Sequence, residues 1–144
     1  MALLALHTLE RGPMVHRDVK PSNVLLDATR TRAKLADLGV AHTVATASQH
    51  HSQGARGTAA FMAPEAFDDD ARAAPPLDVW AYAMVLYAVV FGHHPWSHIT
   101  STLKIITAVA VKKKTPKLAA LDSPRLKALL QSCWQFKPAQ RPSA

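Results

Sequence analysis

A short run, His16-Arg17-Asp18-Val19-Lys20-Pro21-Ser22-Asn23, crowds an imidazole, a guanidinium, a carboxylate, an ammonium and a carboxamide into one stretch. Lys20 follows Asp18 by two residues, and in an extended loop that spacing puts both side chains on one side. Asn23 and the later Asp37, in Asp37-Leu38-Gly39, carry oxygen donors of the kind a hard cation such as Mg²⁺ takes. Taken singly, each residue has a blander reading. An isolated Asp18 is a solvated surface group, and Asp37 after an apolar run is a strand-end turn residue.

The surrounding sequence supplies elements to hold these groups. Residues 1–11 read as the end of an apolar helix, stopped by Gly12 and Pro13. Residues 24–26 and 34–36 are short apolar runs joined by polar DATRTR, which reads as a hairpin. Residues 42–60 are small and polar, a long loop of the kind that is functional or mobile in compact domains. Residues 78–92 are almost wholly apolar, so this helix is expected to be buried on all faces. Asp78 stands as its N-cap or first-turn acid and Gly92 as its terminator. A further helix is expected over 100–111, broken by KKKTPK, and an amphipathic one over 123–135 with Ser123 as N-cap and Pro124 at its first position.

The chain has 144 residues, 49% of them hydrophobic and 19% charged, a composition that collapses around a core as one domain. No stretch reaches the roughly 18 apolar residues of a spanning helix, and the start lacks the basic region and cleavage site of a signal peptide. The lone Cys133 excludes an intrachain disulfide framework and a cysteine-rich zinc site, and it fits a reducing compartment. His50, His51, His93, His94 and His98 lack carboxylate or thiolate partners at ligand spacing and read as exposed loop residues. The net charge of +7 raises the question of nucleic acid. The basic residues look scattered apart from Lys112, Lys113, Lys114 and Lys117, which read as a solvated loop.

The run from His16 to Asn23 matches H-R-D-x-x-x-x-N, the catalytic loop of protein kinases. Asp37-Leu38-Gly39 stands where that family has D-F-G, and Ala63-Pro64-Glu65 supplies its A-P-E. Asp78-Val79-Trp80 resembles the start of the family's central buried helix. Cys133-Trp134 followed by Arg141-Pro142 resembles its last block. Together and in this order they make the chain similar to a eukaryotic-type protein kinase. LHTLERGPMVHRDVKPSNVLLD and CWQFKPAQRPS resemble the tyrosine-kinase-like branch, whose members are mostly Ser/Thr kinases. The implied fold is α+β and mainly α: a carboxyl-terminal kinase lobe with a small β-hairpin by the catalytic loop and no amino-terminal lobe. Residues 1–144 would be a partial kinase domain with catalytic loop 16–23, activation segment 37–65 and central helix 78–92.

The resemblance also implies roles. Asp18 would be the catalytic base that orients a substrate hydroxyl, and Lys20 would neutralise charge on the transferring phosphoryl group and contact ATP. Asn23 and Asp37 would hold Mg²⁺ on the ATP phosphates. Lys20 before Pro21, with Thr58 hydroxyl-bonded to Asp18 and Lys20, implies Ser/Thr specificity. His16 is implied to be a packed structural residue. Glu65 and Arg141 would form a buried ion pair, and Asp78 would anchor the catalytic-loop backbone. Arg17 would receive a phosphate placed on Thr43, Thr46, Ser48 or Ser52 by an upstream kinase. Partners are then a protein substrate and that kinase, without nucleic acid or a membrane in this segment. The location is cytoplasmic, or the cytoplasmic side of a membrane receptor.

Departures qualify the resemblance. Leu38 replaces the usual Phe, Ala83 stands where Gly is frequent, and Leu77 interrupts the polar lead-in to Asp78. No trio of the five glycines fits G-x-G-x-x-G. Val109-Ala110-Val111-Lys112 imitates V-A-I-K but lies far downstream of Asp37 with no glycine loop before it. The expectation is a Ser/Thr kinase fragment, or else a non-catalytic kinase-like binding module. As an isolated chain it should turn over poorly, and exposed apolar surface should limit its solubility.

Overall fold

The computed structural model describes residues 2–40, 42–43, 58–68 and 72–144. Its framework is helix α2, Pro76–Phe91, against which α4, Pro124–Cys133, is packed. α2 begins two residues before Asp78 because Pro75 and Pro76 take the helical φ that a first turn accepts without an N–H. Asp78 therefore lies in the first turn and does not cap it. The helix ends as expected at Gly92, whose left-handed φ of 72° lets its N–H close on the Ala88 carbonyl at 3.0 Å. Trp80, Ala83 and Met84 are fully buried, together with Leu130, Cys133 and Trp134 from α4 and its end. The Phe136 ring meets Trp80 edge-on, with centroids 5.4 Å apart. Burial pushes the Cys133 thiol up, away from thiolate reactivity.

Burial of α2 on every face does not occur among the described residues. Tyr82, Val89 and Val90 line up at helical spacing and are exposed, Val89 at 74%. An apolar helix is covered only where another element reaches it, and none of the described ones crosses this stripe.

The helix expected over 1–11 is shorter. α1 spans Ala2–His7, and residues 9–12 form a separate turn closed by the Gly12 N–H on the Leu9 carbonyl, with Gly12 at φ 105°. β1, Met14–Val15, follows. The expected hairpin is present as β2, Val24–Leu26, paired antiparallel with β3, Ala33–Leu35, in the register Val24 to Leu35. β4, His42–Thr43, pairs with β1 in a second two-stranded sheet.

Asp27 organises the hairpin turn. Its carboxylate accepts the backbone N–H groups of Thr31 at 2.9 Å and Arg32 at 3.2 Å and the Thr29 hydroxyl at 2.9 Å. These bonds, Arg32 foremost, hold its pKa below 3.8. The ionised form therefore stabilises the turn above the unfolded value, and that stabilisation is lost as pH falls through the lower folded value. Asp27→Ala should remove this pH dependence and speed amide exchange at Leu25 and Lys34, with little effect on α2.

The helix expected over 100–111 changes pitch partway. α3 spans Thr102–Ile106 and continues as a π turn over Thr107–Val111, with the Lys112 N–H reaching the Thr107 carbonyl at 2.9 Å. The wider turn keeps Ile105, Ala108 and Val109 buried and ends at Lys113, which takes a left-handed φ of 48°. α4 runs from Pro124 to Cys133, its Leu126 N–H capped by the Ser123 hydroxyl at 3.3 Å.

Candidate active site

The site is assembled outward from Asp78. Its carboxylate is 1% exposed and accepts three hydrogen bonds: His16 N–H at 2.8 Å, Arg17 N–H at 2.9 Å and His7 Nε2–H at 2.8 Å. A buried carboxylate without such donors would be strongly unfavourable. Here the donors are backbone groups of residues 16 and 17, so the first turn of α2 fixes the loop that follows β1. His7 is a participant the sequence did not mark. The signal available was an imidazole at the end of an apolar helix, and its Nδ1 is buried without a partner among the described residues.

His16 carries the positioning one step further. Its buried ring accepts the Asp18 N–H at Nδ1, 3.3 Å, and donates from Nε2 to the Ala36 carbonyl, 3.0 Å. These partners define a neutral imidazole with its proton on Nε2. Ala36 in turn donates its N–H to the Asn23 carbonyl at 2.8 Å. One ring thus ties the 16–23 loop to the residue before Asp37.

Within the loop, Asp18, Lys20 and Asn23 converge. Lys20 Nζ lies 2.6 Å from Asp18 Oδ2. The Asn23 amide nitrogen donates to the Asp18 carbonyl at 2.8 Å and to the same Oδ2 at 3.1 Å. Asp18 Oδ1 is buried and has no partner among the described residues. One carboxylate oxygen is therefore saturated by an ammonium and an amide while the other is left as a bare acceptor. Asn23 spends its side-chain nitrogen on Asp18 and its main-chain carbonyl on Ala36, which leaves its side-chain oxygen for another ligand.

Asp37 is exposed, and its carboxylate accepts the Gly39 N–H at 3.3 Å. No direct bond joins it to Asp18, Lys20 or Asn23 in the described structure. The connection runs through Ala36. Arg17 and Asp37 both adopt left-handed φ, 69° and 63°. Such values are uncommon outside glycine and concentrate where structure is held for function. A Cβ at Gly39 would lie 3.1 Å from Asp37 Oδ1. Gly39→Ala should therefore displace the Asp37 carboxylate, weakening any divalent-cation-dependent property severalfold while leaving thermal stability almost unchanged.

Glu65 and Arg141 form a bidentate pair, with Nη2 to Oε2 at 2.8 Å and Nη1 on Oε1. Arg141 also donates to the Pro76 carbonyl at 2.9 Å and the Gln135 carbonyl at 2.8 Å, and its guanidinium stacks 5.0 Å from the Trp80 ring centroid. The pair locks the Pro64–Phe67 turn to the start of α2. Thr58 opens a short turn, Thr58–Ala60, but its side chain lies outside the described residues, as do Thr46, Ser48, Ser52, His50, His51 and the Thr43 side chain.

A loop carrying Asp18, Lys20 and Asn23 is thus clamped by an aspartate in the first turn of α2, with the Arg141–Glu65 pair tying a further turn to the start of the same helix. The chain belongs to the protein kinase family: the protein kinase domain model matches residues 1–144. Among curated proteins it is 35% identical over 99% of its length to receptor-interacting serine/threonine-protein kinase 3 of Rattus norvegicus. It is 33% identical over 96% to mitogen-activated protein kinase kinase kinase 7 of Homo sapiens, and 36% over 94% to serine/threonine-protein kinase STY17 of Arabidopsis thaliana. These are tyrosine-kinase-like Ser/Thr kinases, the branch the sequence motifs resemble. The chain spans 32%, 22% and 23% of those three proteins.

Proposed function

We propose that residues 16–37 carry the catalytic-loop half of a Ser/Thr protein kinase site, which transfers the γ-phosphoryl group of ATP to a protein hydroxyl. The observation that carries this reading is the asymmetry of Asp18. Lys20 and Asn23 hold Oδ2, and Oδ1 is a buried acceptor without a partner among the described residues. A substrate Ser or Thr hydroxyl donating to Oδ1 would be oriented for attack, and its proton would pass to that oxygen. Lys20, already beside the carboxylate, is placed to bring positive charge to the phosphoryl oxygens.

The donor chemistry fits Mg²⁺. The Asn23 side-chain oxygen remains after its nitrogen is spent, and Asp37 offers an exposed carboxylate, both hard oxygen ligands. These two residues would hold the ion, which supplies charge neutralisation on the ATP phosphates when bound. His16 and Asp78 do not touch substrate in this scheme; they keep the loop in place.

The names of the relatives and the Lys20-Pro21 pair favour Ser/Thr over Tyr as acceptor. The domain reading of a catalytic lobe, with an activation segment over 37–65 phosphorylated by an upstream kinase and docked on Arg17, belongs to the same proposal. So does poor turnover by residues 1–144 alone. The test is Mg²⁺-dependent transfer from γ-labelled ATP to Ser, Thr and Tyr peptides by residues 1–144 joined to the ATP-covering lobe of a relative. Transfer to Ser and Thr supports the reading. Nucleotide-independent peptide binding without transfer supports the binding-module alternative.

A further inference from the structure

The chain's positive charge is not spread over its surface. Within residues 101–127 stand Lys104, Lys112, Lys113, Lys114, Lys117, Arg125 and Lys127 against Asp122 alone. Nearly all of the net charge of +7 falls in this stretch, and the rest of the chain is close to balanced. Lys104, Lys112, Lys113, Lys114 and Lys117 are exposed, and none has a carboxylate partner among the described residues. Lys113 alone has a ring contact, lying 5.7 Å over Phe136. Two large apolar side chains stand in the same segment, Leu103 at 70% and Val111 at 72% exposure.

The segment packs against two turns that follow Asp37 in the chain. α3 packs on the Thr58–Ala60 turn, and the π turn packs on the Pro64–Phe67 turn. These are the last parts of the segment that follows Asp37. On the kinase reading above, that stretch faces a substrate, and a partner on the basic surface would be held next to it.

We propose that the α3–π-turn surface, with Lys104, Lys112, Lys114, Lys117, Leu103 and Val111, docks an acidic segment of a protein substrate that also bears apolar side chains. Charge complementarity selects the acidic partner and steers its approach, and the two exposed apolar groups add contacts that a purely ionic site would lack. Adjacency to the Pro64–Phe67 turn favours a protein over a lipid surface or a nucleic acid. The buried inner side of the same helix leaves only two apolar residues outward, less than an interfacial membrane helix uses. The identity of the partner as a substrate rests on the kinase reading above.

The experiment follows binding of a fluorescein-labelled Glu/Leu peptide to the full chain by fluorescence anisotropy, without nucleotide. Its comparators are the Glu/Ser analogue, phosphatidylserine-containing vesicles and duplex DNA. The combined Lys112→Glu, Lys114→Glu and Lys117→Glu variant leaves Lys113 on Phe136, and circular dichroism checks that it is folded. The expected result is about a tenfold loss of affinity in the variant, as for several exposed charge pairs together. The wild-type affinity should fall with added salt, and both Leu103→Ser and the Glu/Ser peptide should bind more weakly. Equal binding by variant and wild type overturns the proposal. So does absence of peptide binding, or a preference for vesicles or DNA. Since no ATP is present, failure of the kinase reading leaves this result unmoved and shows instead in the transfer assay.

Discussion

Asp78→Ala is expected to lower the folding free energy by about 3 kcal/mol or more, since three buried donors lose their acceptor at once. For a domain whose total stability is about 5–15 kcal/mol, that is a large share. The loss should be local as well as global. His16 and Arg17 donate their N–H groups to this carboxylate, so their amide exchange should rise well beyond that of residues in α4. Asp78→Asn is a sharper probe. It keeps one oxygen but sets an NH₂ against either the Arg17 N–H or the His7 and His16 donors, so it should still lose roughly half of the effect while preserving volume. Thermal denaturation of both variants, with exchange at residues 16 and 17, checks this. Unchanged exchange there would show that the loop is held by something other than α2.

Asp18→Asn should separate chemistry from structure. The amide can retain contacts with Asn23 and keep the loop folded, but it cannot take a proton from a hydroxyl. Loss of a positioned proton acceptor costs about 10²–10⁴-fold in rate, while the melting temperature should move little because Asp18 sits at the edge of the core. If Oδ1 were simply a solvated group, the substitution would change neither property. Lys20→Met in the same setting should also reduce transfer, because the ammonium beside Asp18 Oδ2 is lost.

The parts of this site that sequence could disclose are those with local rules. Ser123 and Pro124 begin α4, Gly92 ends α2, and the polar DATRTR turn separates β2 from β3, each by capping or turn chemistry confined to a few residues. The candidate site residues were legible as a pattern because Asp18, Lys20 and Asn23 lie within one short loop. What joins distant parts of the chain was not legible from residue types alone. The Asp78 bonds to His7, His16 and Arg17 cross 61 to 71 positions, and nothing local to His7 announces its partner. The π turn after α3 and the left-handed Lys113 arise from packing of Ile105, Ala108 and Val109 against the core, which overrides a uniform helical period. The nearly unbroken apolar run of α2 likewise specified a helix but not its covering, so Tyr82, Val89 and Val90 stand exposed. The basic run stands exposed in a loop, as its composition led one to expect. Lys112, Lys113, Lys114 and Lys117 were visible as a run, but their weight appears only when Lys104, Arg125 and Lys127 are counted with them and acidic residues are found to lie elsewhere.

The most direct measurement is Mg²⁺-dependent phosphoryl transfer from γ-labelled ATP by residues 1–144 joined to a relative's ATP-covering lobe, run in parallel with Asp18→Asn. The account predicts label on Ser and Thr peptides from the wild type and a fall of about 10²–10⁴-fold in the variant. Equal transfer by the two proteins, or label confined to tyrosine, would contradict it.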